Sequence, residues 1–326
     1  MKRCLFVALA LGMCVLRVSS VTGAQNAAEL PFTLKQVGPN VWAAISNPKS
    51  TTAAGANTGF VIGDDGVAVI DATLNGEADG SFGPKPSQEL LAAIRRLTQL
   101  PIRFVINTHY HLDHTGGNAI FVNAGAVAVA HQNVRSWTHS ENVRLLGKDI
   151  LPQQKTAIEA IPLPTVTYDR AIDLHLGSRT IRVRSFPGHT GGDSVVLIPD
   201  AKVVFAGDLY WRDMVPNMVD ATTDAWMNTL ATLAKTEPDS TFVSGHGDVG
   251  NAQNLGVFRD YLATLRKLVS DARARGQSGE ALADAVLPAL ATKYGSWEAF
   301  KYLARLNLLE TDAELSGKKR IPQPAR

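Results

Sequence analysis

Histidine and aspartate side chains in this chain are concentrated in short clusters that follow predicted β-strands. Five of the eight histidines lie in three such clusters. They are T-H-Y-H-L-D-H at residues 108–114, P-G-H-T-G-G-D around His189 and S-G-H-G-D around His246, with Asp208 between the last two in F-A-G-D-L. Loops at strand ends carry functional groups on a rigid support. The clusters therefore predict a fold in which several strand ends meet at one crevice.

Four short runs of β-branched or aromatic residues come before the clusters and are typical of strands. They are Arg103–Ile106, Ile181–Phe186, Val203–Ala206 and Thr241–Ser244. The other histidines, His131, His139 and His175, have no such neighbours. We expect those three to have structural or surface roles.

The cluster side chains suit a transition metal. Imidazole nitrogen combined with carboxylate oxygen is expected for zinc or iron, whereas calcium and magnesium take oxygen-dominated shells. In an extended backbone residues i and i+2 project to one side, so His109 and His111 can hold one ion. If the chain then turns, Asp113 and His114 face a second ion. The remaining candidate ligands are His189, His246 and a bridging Asp208.

The order of these motifs resembles that of the metallo-β-lactamase superfamily. The resemblance runs from about Thr33 to Gly250 and covers N-T-G-F-V-I-G-D-D-G-V-A-V-I-D, H-Y-H-L-D-H-T-G-G-N, P-G-H-T-G-G-D, A-G-D-L and S-G-H-G. It implies an α/β fold, an αββα sandwich of two mixed β-sheets flanked by helices. It also implies His109, His111 and His189 at the first metal, Asp113, His114 and His246 at the second, and Asp208 bridging. Asp71 resembles a family aspartate that supports the metal loop through hydrogen bonds.

The ligand set predicts a metallo-hydrolase. Zinc lowers the pKa of bound water from about 15.7 toward about 7. The resulting hydroxide, held near the predicted catalytic residues Asp113 and Asp208, would cleave an ester, thioester, lactone or β-lactam. Two zinc ions are expected, with iron or manganese as the alternatives. Asp208 makes the site similar to those of glyoxalase II and lactonases. The candidate substrate-binding residues are Tyr110, Tyr210, Trp211 and Arg212.

Two other functions stay open at this stage. A mononuclear iron persulfide dioxygenase resembles the same motif, so an oxidoreductase is the main rival among enzymes. A metal-binding protein without catalytic activity is the other alternative. Metal analysis separates the hydrolase from the dioxygenase. One iron per chain with oxygen uptake indicates a dioxygenase, and two zinc ions without oxygen uptake indicate a hydrolase.

Residues 1–24 are typical of a secretory signal peptide. Lys2 and Arg3 precede an apolar run, and small residues follow up to Ala24. The apolar run is too short to span a bilayer comfortably, so we expect an exported protein, periplasmic or secreted, without a stable membrane anchor. Both cysteines lie in this segment, which leaves the mature chain without thiolate ligands for zinc.

The charge of the mature chain argues against nucleic acid as a partner. Removing residues 1–24 takes away three of the 32 basic side chains and none of the 30 acidic ones, leaving the protein near neutrality. We expect a small-molecule substrate, and the sequence does not indicate an oligomeric state. The predicted organisation is a metallo-β-lactamase-like hydrolase domain at 25–252, a helical extension packed on it at 253–315 and a disordered tail at 316–326. Apolar stripes over Asn254–Arg275 and Trp297–Leu309 predict two helices in the extension.

Overall fold

The computed structural model describes residues 30–47, 52–74, 76–77 and 85–323, and the predicted signal peptide lies outside them. The strands are β1 Phe32–Gly38, β2 Val41–Ser46, β3 Thr52–Ala53, β4 Thr58–Ile62, β5 Val67–Ile70, β6 Gly76–Glu77, β7 Ile102–Asn107, β8 Val127–His131, β9 Val166–Tyr168, β10 Ala171–Leu176, β11 Arg179–Ser185, β12 Ser194–Ile198, β13 Val203–Trp211 and β14 Thr241–His246. The helices are α1 Lys85–Leu97, α2 Leu112–Thr115, α3 Asn118–Asn123, α4 Gln132–Trp137, α5 Ser140–Leu146, α6 Pro152–Glu159, α7 Thr223–Thr236, α8 Ala252–Ala274, α9 Gly279–Tyr294 and α10 Phe300–Leu315.

Two mixed sheets form the centre of the molecule. One has seven strands in the order β1-β2-β4-β5-β7-β8-β9, antiparallel as far as β5 and parallel after it. The other has five strands in the order β10-β11-β12-β13-β14, of which only the pair β13 and β14 is parallel. Strands β3 and β6 form a separate small ladder.

Apolar side chains from both sheets fill the space between the two sheets. Ile70 and Ile106 from the seven-stranded sheet share one cluster with Val183 and Phe205 from the five-stranded sheet. The outer face of the first sheet packs against α1 and α3, and the outer face of the second packs against α7 to α10. This layering confirms the predicted αββα sandwich.

Helix α1 connects the parallel strands β5 and β7. Pro86 occupies its first turn, where its missing N–H costs no hydrogen bond, and Leu90, Ala93 and Ile94 form the buried stripe against the sheet. Because β5 and β7 are parallel, their carboxyl ends meet at one edge. Asp71 follows the first strand and Thr108 the second, which places both beside the predicted metal loop.

Three helices pack beyond β14, one more than the apolar stripes predict. Helices α8 and α10 match the two predicted segments closely. The additional helix, α9, contains Pro288 and many alanines, so its sequence has neither strong periodicity nor a clean helical interior. Within the parts of the chain that the structure describes, no helix combines the length and the apolar composition needed to cross a membrane.

The C-terminal segment is ordered as far as Gln323, although residues 316–326 are predicted to be disordered. The Lys319 ammonium donates to the carbonyls of Met218 and Ala221 at 2.6 and 2.8 Å, and the Arg320 guanidinium donates to both oxygens of Glu141 at 2.8 and 2.9 Å. The Trp137 indole N–H also donates to the Gln323 carbonyl at 3.0 Å. Long-range ion pairs of this kind leave no signal in a local sequence window, which explains the difference.

Candidate metal centre

The loop after β7 is held in place by Asp71. Its Oδ1 accepts from the Thr108 amide at 2.8 Å, and its Oδ2 accepts from the Thr108 hydroxyl and from His114 Nδ1, each at 2.8 Å. Asp71 itself adopts a left-handed φ of 58°. The predicted supporting role therefore has a structural counterpart, because one buried carboxylate fixes both ends of the loop that carries the histidines.

The first group of ligand-type side chains comprises His109, His111, His189 and Asp208, all buried. His189 Nε2 lies 3.0 Å from His111 Nδ1 and 3.3 Å from Asp208 Oδ2. His109 Nε2 lies 3.7 Å from the same oxygen. A tetrahedral ion with bonds of about 2.0–2.1 Å separates its ligands by about 3.3 Å. All four ligand atoms lie within 4.8 Å of one another, so this group could hold one metal ion.

The second group comprises Asp113, His114 and His246. Asp113 Oδ2 lies 3.8 Å from His114 Nε2 and 3.3 Å from His246 Nε2. Asp208 Oδ1 lies 3.0 and 3.4 Å from the same two nitrogens. Asp208 thus faces the second group with one oxygen and the first group with the other.

Buried nitrogen and oxygen atoms without hydrogen-bond partners support a metal at both positions. Among the described residues, His109 Nε2, His114 Nε2, His246 Nε2 and Asp208 Oδ1 are buried without one. Burying a polar atom unpaired is costly unless a ligand satisfies it. Since these atoms face one another across the two groups, the donor set fits divalent cations, and the chain carries a His/Asp metal-binding site.

Hydrogen bonds at the far ring nitrogens orient two of the histidines. His109 Nδ1 contacts the Thr108 hydroxyl at 3.1 Å, and His114 Nδ1 contacts Asp71. An imidazole whose other nitrogen donates in this way presents a fixed lone pair to a metal. The Nε2 of His111 faces Asp220 Oδ2 at 4.0 Å, which is too long for a direct hydrogen bond.

The titration of the ligands is consistent with cation binding. Burial lowers the pKa of His109 and lowers that of His189 to about 3, so both are neutral and hold a free lone pair. Burial would raise the pKa of Asp208, but His246, His114 and other histidines outweigh it and keep the pKa well below its usual value. At His246 burial lowers the pKa, but the carboxylates of Asp208 and Asp113 outweigh this effect and raise the pKa to about 9. A cation bound by His246 would therefore have to displace a proton from its ring.

Two glycines allow the strands to approach closely at Asp208. A Cβ at Gly245 would lie 2.0 Å from Asp208 Oδ1, and a Cβ at Gly207 would lie 2.5 Å from the Thr108 hydroxyl oxygen. Gly207 has a left-handed φ of 51° and interrupts the register of β13 with β14. Strands β13 and β14 continue through Asp208 and His246, with pairing that resumes at Trp211 and His246, whereas the predicted strands end before these ligands.

Of the four predicted substrate-binding residues, two are fully buried, and Trp211 and Arg212 line a cleft of only about 10 Å³. Tyr110 and Tyr210 are fully buried, and the Tyr110 hydroxyl donates to Asp220. Trp211 is 5% exposed and packs on the His246 ring, and Arg212 Nε donates to Asp213 at 2.8 Å. The two tyrosines are therefore corrected to packing residues, because aromatic side chains beside a strand end are as readily buried as exposed.

Sequence reasoning missed Asp220 and Asn57. Asp220 accepts from Tyr110 and from Arg144 at 2.8 Å behind His111, but it stands outside every His/Asp cluster. Asn57 lies within the hairpin motif that carried the family resemblance, where it had no assigned role. Its side-chain amide donates to the carbonyls of Ser244 and Gly247 at 2.9 and 2.7 Å, which anchors the loop that carries His246.

A cavity of about 490 Å³ opens beside the second group. His246 and Gly247 form one side, Ile45 and Met214 contribute apolar surface, and Glu298 belongs to the rim. Asp113 is 26% exposed, whereas Asp208 is 3% exposed. Asp113 is thus the more exposed of the two site carboxylates.

Comparison with known proteins agrees with this geometry. Residues 51–251 match the profile described as "Metallo-beta-lactamase superfamily". Curated relatives include the hydroxyacylglutathione hydrolases of Brucella ovis and Brucella abortus, each 26% identical over 214 residues, which cover 65% of this chain and 75% of the relative.

Among solved structures, a metallo-beta-lactamase from Pontibacter korlensis superposes with a TM-score of 0.55 at 21% identity, covering 71% of this chain and 99% of that one. The DIM-1 metallo-beta-lactamase exposed to ceftazidime has a TM-score of 0.54 at 19% identity, covering 72% and 99%. At these identities the superpositions show a shared fold.

Proposed function

The chain belongs to the metallo-β-lactamase superfamily, and from this premise we propose that it is a di-zinc hydrolase that cleaves an ester, thioester, lactone or β-lactam. Membership, the relatives and the His/Asp cluster make it a metallo-hydrolase. The proposal adds the metal, its number and the bond cleaved. One observation carries it: the two oxygens of Asp208 each face a separate group of ligand atoms, at 3.3–3.7 Å on one side and 3.0–3.4 Å on the other.

In this proposal bound zinc would act as a Lewis acid, activating a water molecule as the nucleophile and the substrate carbonyl as the electrophile. Bound zinc lowers the pKa of water toward about 7 and polarises a carbonyl oxygen. His109, His111 and His189 would hold one ion, Asp113, His114 and His246 the other, and Asp208 would contact both. A nitrogen-rich shell favours zinc over magnesium or calcium, and iron and manganese stay as alternatives.

Asp113 is the proposed proton carrier. Burial raises its pKa, but His114 and His246 outweigh that effect and lower it to about 2, so the carboxylate is ionised at neutral pH. It is the more exposed of the two site carboxylates and is able to accept the proton of the attacking water and deliver it to the leaving group. Asp208, nearly inaccessible, keeps its charge and counters the positive charge of the ions.

The substrate is proposed to be a small molecule. Curated relatives are hydroxyacylglutathione hydrolases, which supports a thioester, and the structural relatives are β-lactamases, which keeps a lactam open. Hydrolysis of S-lactoylglutathione, nitrocefin, an acyl lactone and p-nitrophenyl acetate, each with and without chelator, tests the reaction class. We expect turnover that a chelator abolishes and added zinc restores. Full rates after complete metal removal would contradict the proposal.

Export is a separate proposal, supported by the composition of residues 1–24. Expression of the full chain in a Gram-negative host, followed by fractionation and N-terminal sequencing, tests it. We expect a periplasmic or secreted product cleaved near Ala24. A cytosolic product that retains residues 1–24 would contradict export and leave the proposed chemistry untouched.

A further inference from the structure

The cavity beside His246 includes a residue from outside the superfamily domain. The family match ends at residue 251, and Glu298 lies between α9 and α10. At about 490 Å³ the cavity has the size of a small-molecule site. Its lining combines apolar surface from Ile45 and Met214 with the imidazole of His246. The helical extension thus contributes to the space in which a substrate would lie.

Backbone contacts hold Glu298 at this rim. The Val215 amide donates to the Glu298 carbonyl at 2.9 Å, and the Glu298 amide donates to the Asp213 carbonyl at 3.1 Å. Asp213 and Ala299 both adopt left-handed φ values, 52° and 60°. Such conformations in residues other than glycine cost energy and persist where the surrounding structure imposes them. The position of Glu298 is therefore defined by the backbone on both of its sides.

Charges around the cavity are balanced except at Glu298. Lys35 Nζ lies 2.5 Å from Asp248 Oδ1, and both residues are part of the lining. Nearby, Arg212 is paired with Asp213. Among the residues that the structure describes, the Glu298 carboxylate has no side-chain partner within hydrogen-bond or ion-pair distance, although neighbouring side chains are paired. The described lining therefore carries one uncompensated negative charge outside the metal ligands.

We propose that Glu298 is a specificity-determining residue, which makes this cavity select substrates that carry a cationic group, such as an amine, beside the bond to be cleaved. The proposal rests on the proposed hydrolase function and names the class of substrate. A carboxylate at the rim attracts a substrate ammonium and repels a substrate carboxylate, so that it discriminates in both directions. The apolar surface of Ile45 and Met214 would contact the uncharged body of the substrate.

Binding of three small thiols to the cobalt-loaded holoenzyme tests the proposal without requiring turnover. The thiols are 2-aminoethanethiol, 2-mercaptoethanol and mercaptoacetate, which have similar sizes and positive, neutral and negative charge. Thiolate coordination to cobalt gives a charge-transfer absorption from which each Kd is obtained. The variants are Glu298→Gln and Glu298→Lys, and Glu159→Gln serves as a control because Glu159 is exposed on α6, outside the cavity lining.

We expect the wild-type protein to bind the cationic thiol more tightly than the anionic thiol. Glu298→Gln should reduce that preference by about 3- to 5-fold, which is the size of a partly exposed charge interaction, and Glu298→Lys should reduce it further. Glu159→Gln should leave it unchanged. Each ratio compares the same thiols across variants, so differences in thiol pKa cancel.

An unchanged ratio in Glu298→Gln, or a change that favours the cationic thiol, would overturn the proposal. The absence of any thiol absorption would also overturn it, because the cavity would then not open onto the metal centre. Failure of the hydrolase proposal appears elsewhere, as an absence of turnover in the substrate panel while the thiol preference persists.

Discussion

The indole of Trp211 stacks on the imidazole of His246, with ring centroids 3.9 Å apart and 21° between the ring planes. The Trp211 N–H also donates to the carbonyl of Asp208 at 3.0 Å. One side chain therefore contacts a ligand of the second group and the backbone of the residue between the groups. Trp211 acts as a positioning residue.

Replacing Trp211 by alanine should weaken metal binding at the second group by about 10- to 100-fold, as expected when a supporting contact of a ligand is lost. Competition with a chromophoric chelator measures the affinity of each metal equivalent. Trp211→Phe is the matched control because it keeps the stacked ring and removes the N–H donor. Equal losses in both variants would show that the hydrogen bond, and not the stack, orients His246.

Gly245→Ala should abolish binding at both positions. The added Cβ would lie 2.0 Å from Asp208 Oδ1 and 2.8 Å from the Gly207 carbonyl carbon, so the bridging carboxylate must move. Gly256→Ala is the matched control, since a Cβ in that part of α8 meets nothing within 4 Å and alanine favours a helix by about 1 kcal/mol. Elemental analysis after dialysis gives the metal content. Full occupancy in Gly245→Ala would contradict the close packing of Gly245 against Asp208.

Asp220→Asn should destabilise the fold by about 3 kcal/mol, because it removes one of the two carboxylates that pair with Arg144 and disturbs the hydrogen bond of the buried Tyr110 hydroxyl. Urea unfolding of the metal-free protein measures the free energy of unfolding. Asp239→Asn removes an exposed pair with Lys202 and should change it by less than about 0.5 kcal/mol. Similar values for the two variants would rule out a structural role for Asp220.

Glu141 should make the free energy of unfolding depend on pH in the acidic range. Hydrogen bonds from Arg320 lower its pKa in the folded state, with further help from Arg144. A depressed carboxyl pKa contributes stability that is fully present above the unfolded value, about 4.5, and is lost as the pH falls through the folded value. We expect Glu141→Gln to lower the free energy of unfolding by about 2 kcal/mol at pH 7 and to have almost no effect at the lowest pH measured.

Urea unfolding of both metal-free proteins between pH 7 and pH 3 measures this difference. Metal removal keeps the histidine ligands from obscuring the comparison. A difference that stays constant across this range would contradict the ion pairing between Glu141 and the C-terminal segment.

The sequence alone predicts those candidate ligands that lie close together along the chain. His109, His111, Asp113 and His114 fall within six positions, and the strand before them follows from its β-branched residues. By contrast, Asp220 contacts Tyr110 across 110 positions. Contacts at such separations depend on how sheets and helices pack, and no local pattern encodes them.

The other differences between prediction and structure depend on how the layers and strands pack together. Tyr110 and Tyr210 appeared suitable for a pocket because they adjoin ligands, but whether such a ring faces the core or the opening depends on the opposite layer. Strand β13 extends to Trp211 through pairing with His246 of the neighbouring strand, which a local sequence window does not encode. Glu298 reaches the cavity through backbone pairing with the segment at Met214, which joins distant parts of the chain.

Metal stoichiometry tests most directly the central proposal, which is that Asp208 joins two metal positions. Elemental analysis of the purified protein, after removal of loosely held ions, should give two zinc ions per chain. Asp208→Ala should retain fewer than one, because it removes an oxygen from both groups while leaving the fold intact by circular dichroism. A wild-type value of one ion per chain, or two ions retained in Asp208→Ala, would contradict the proposal.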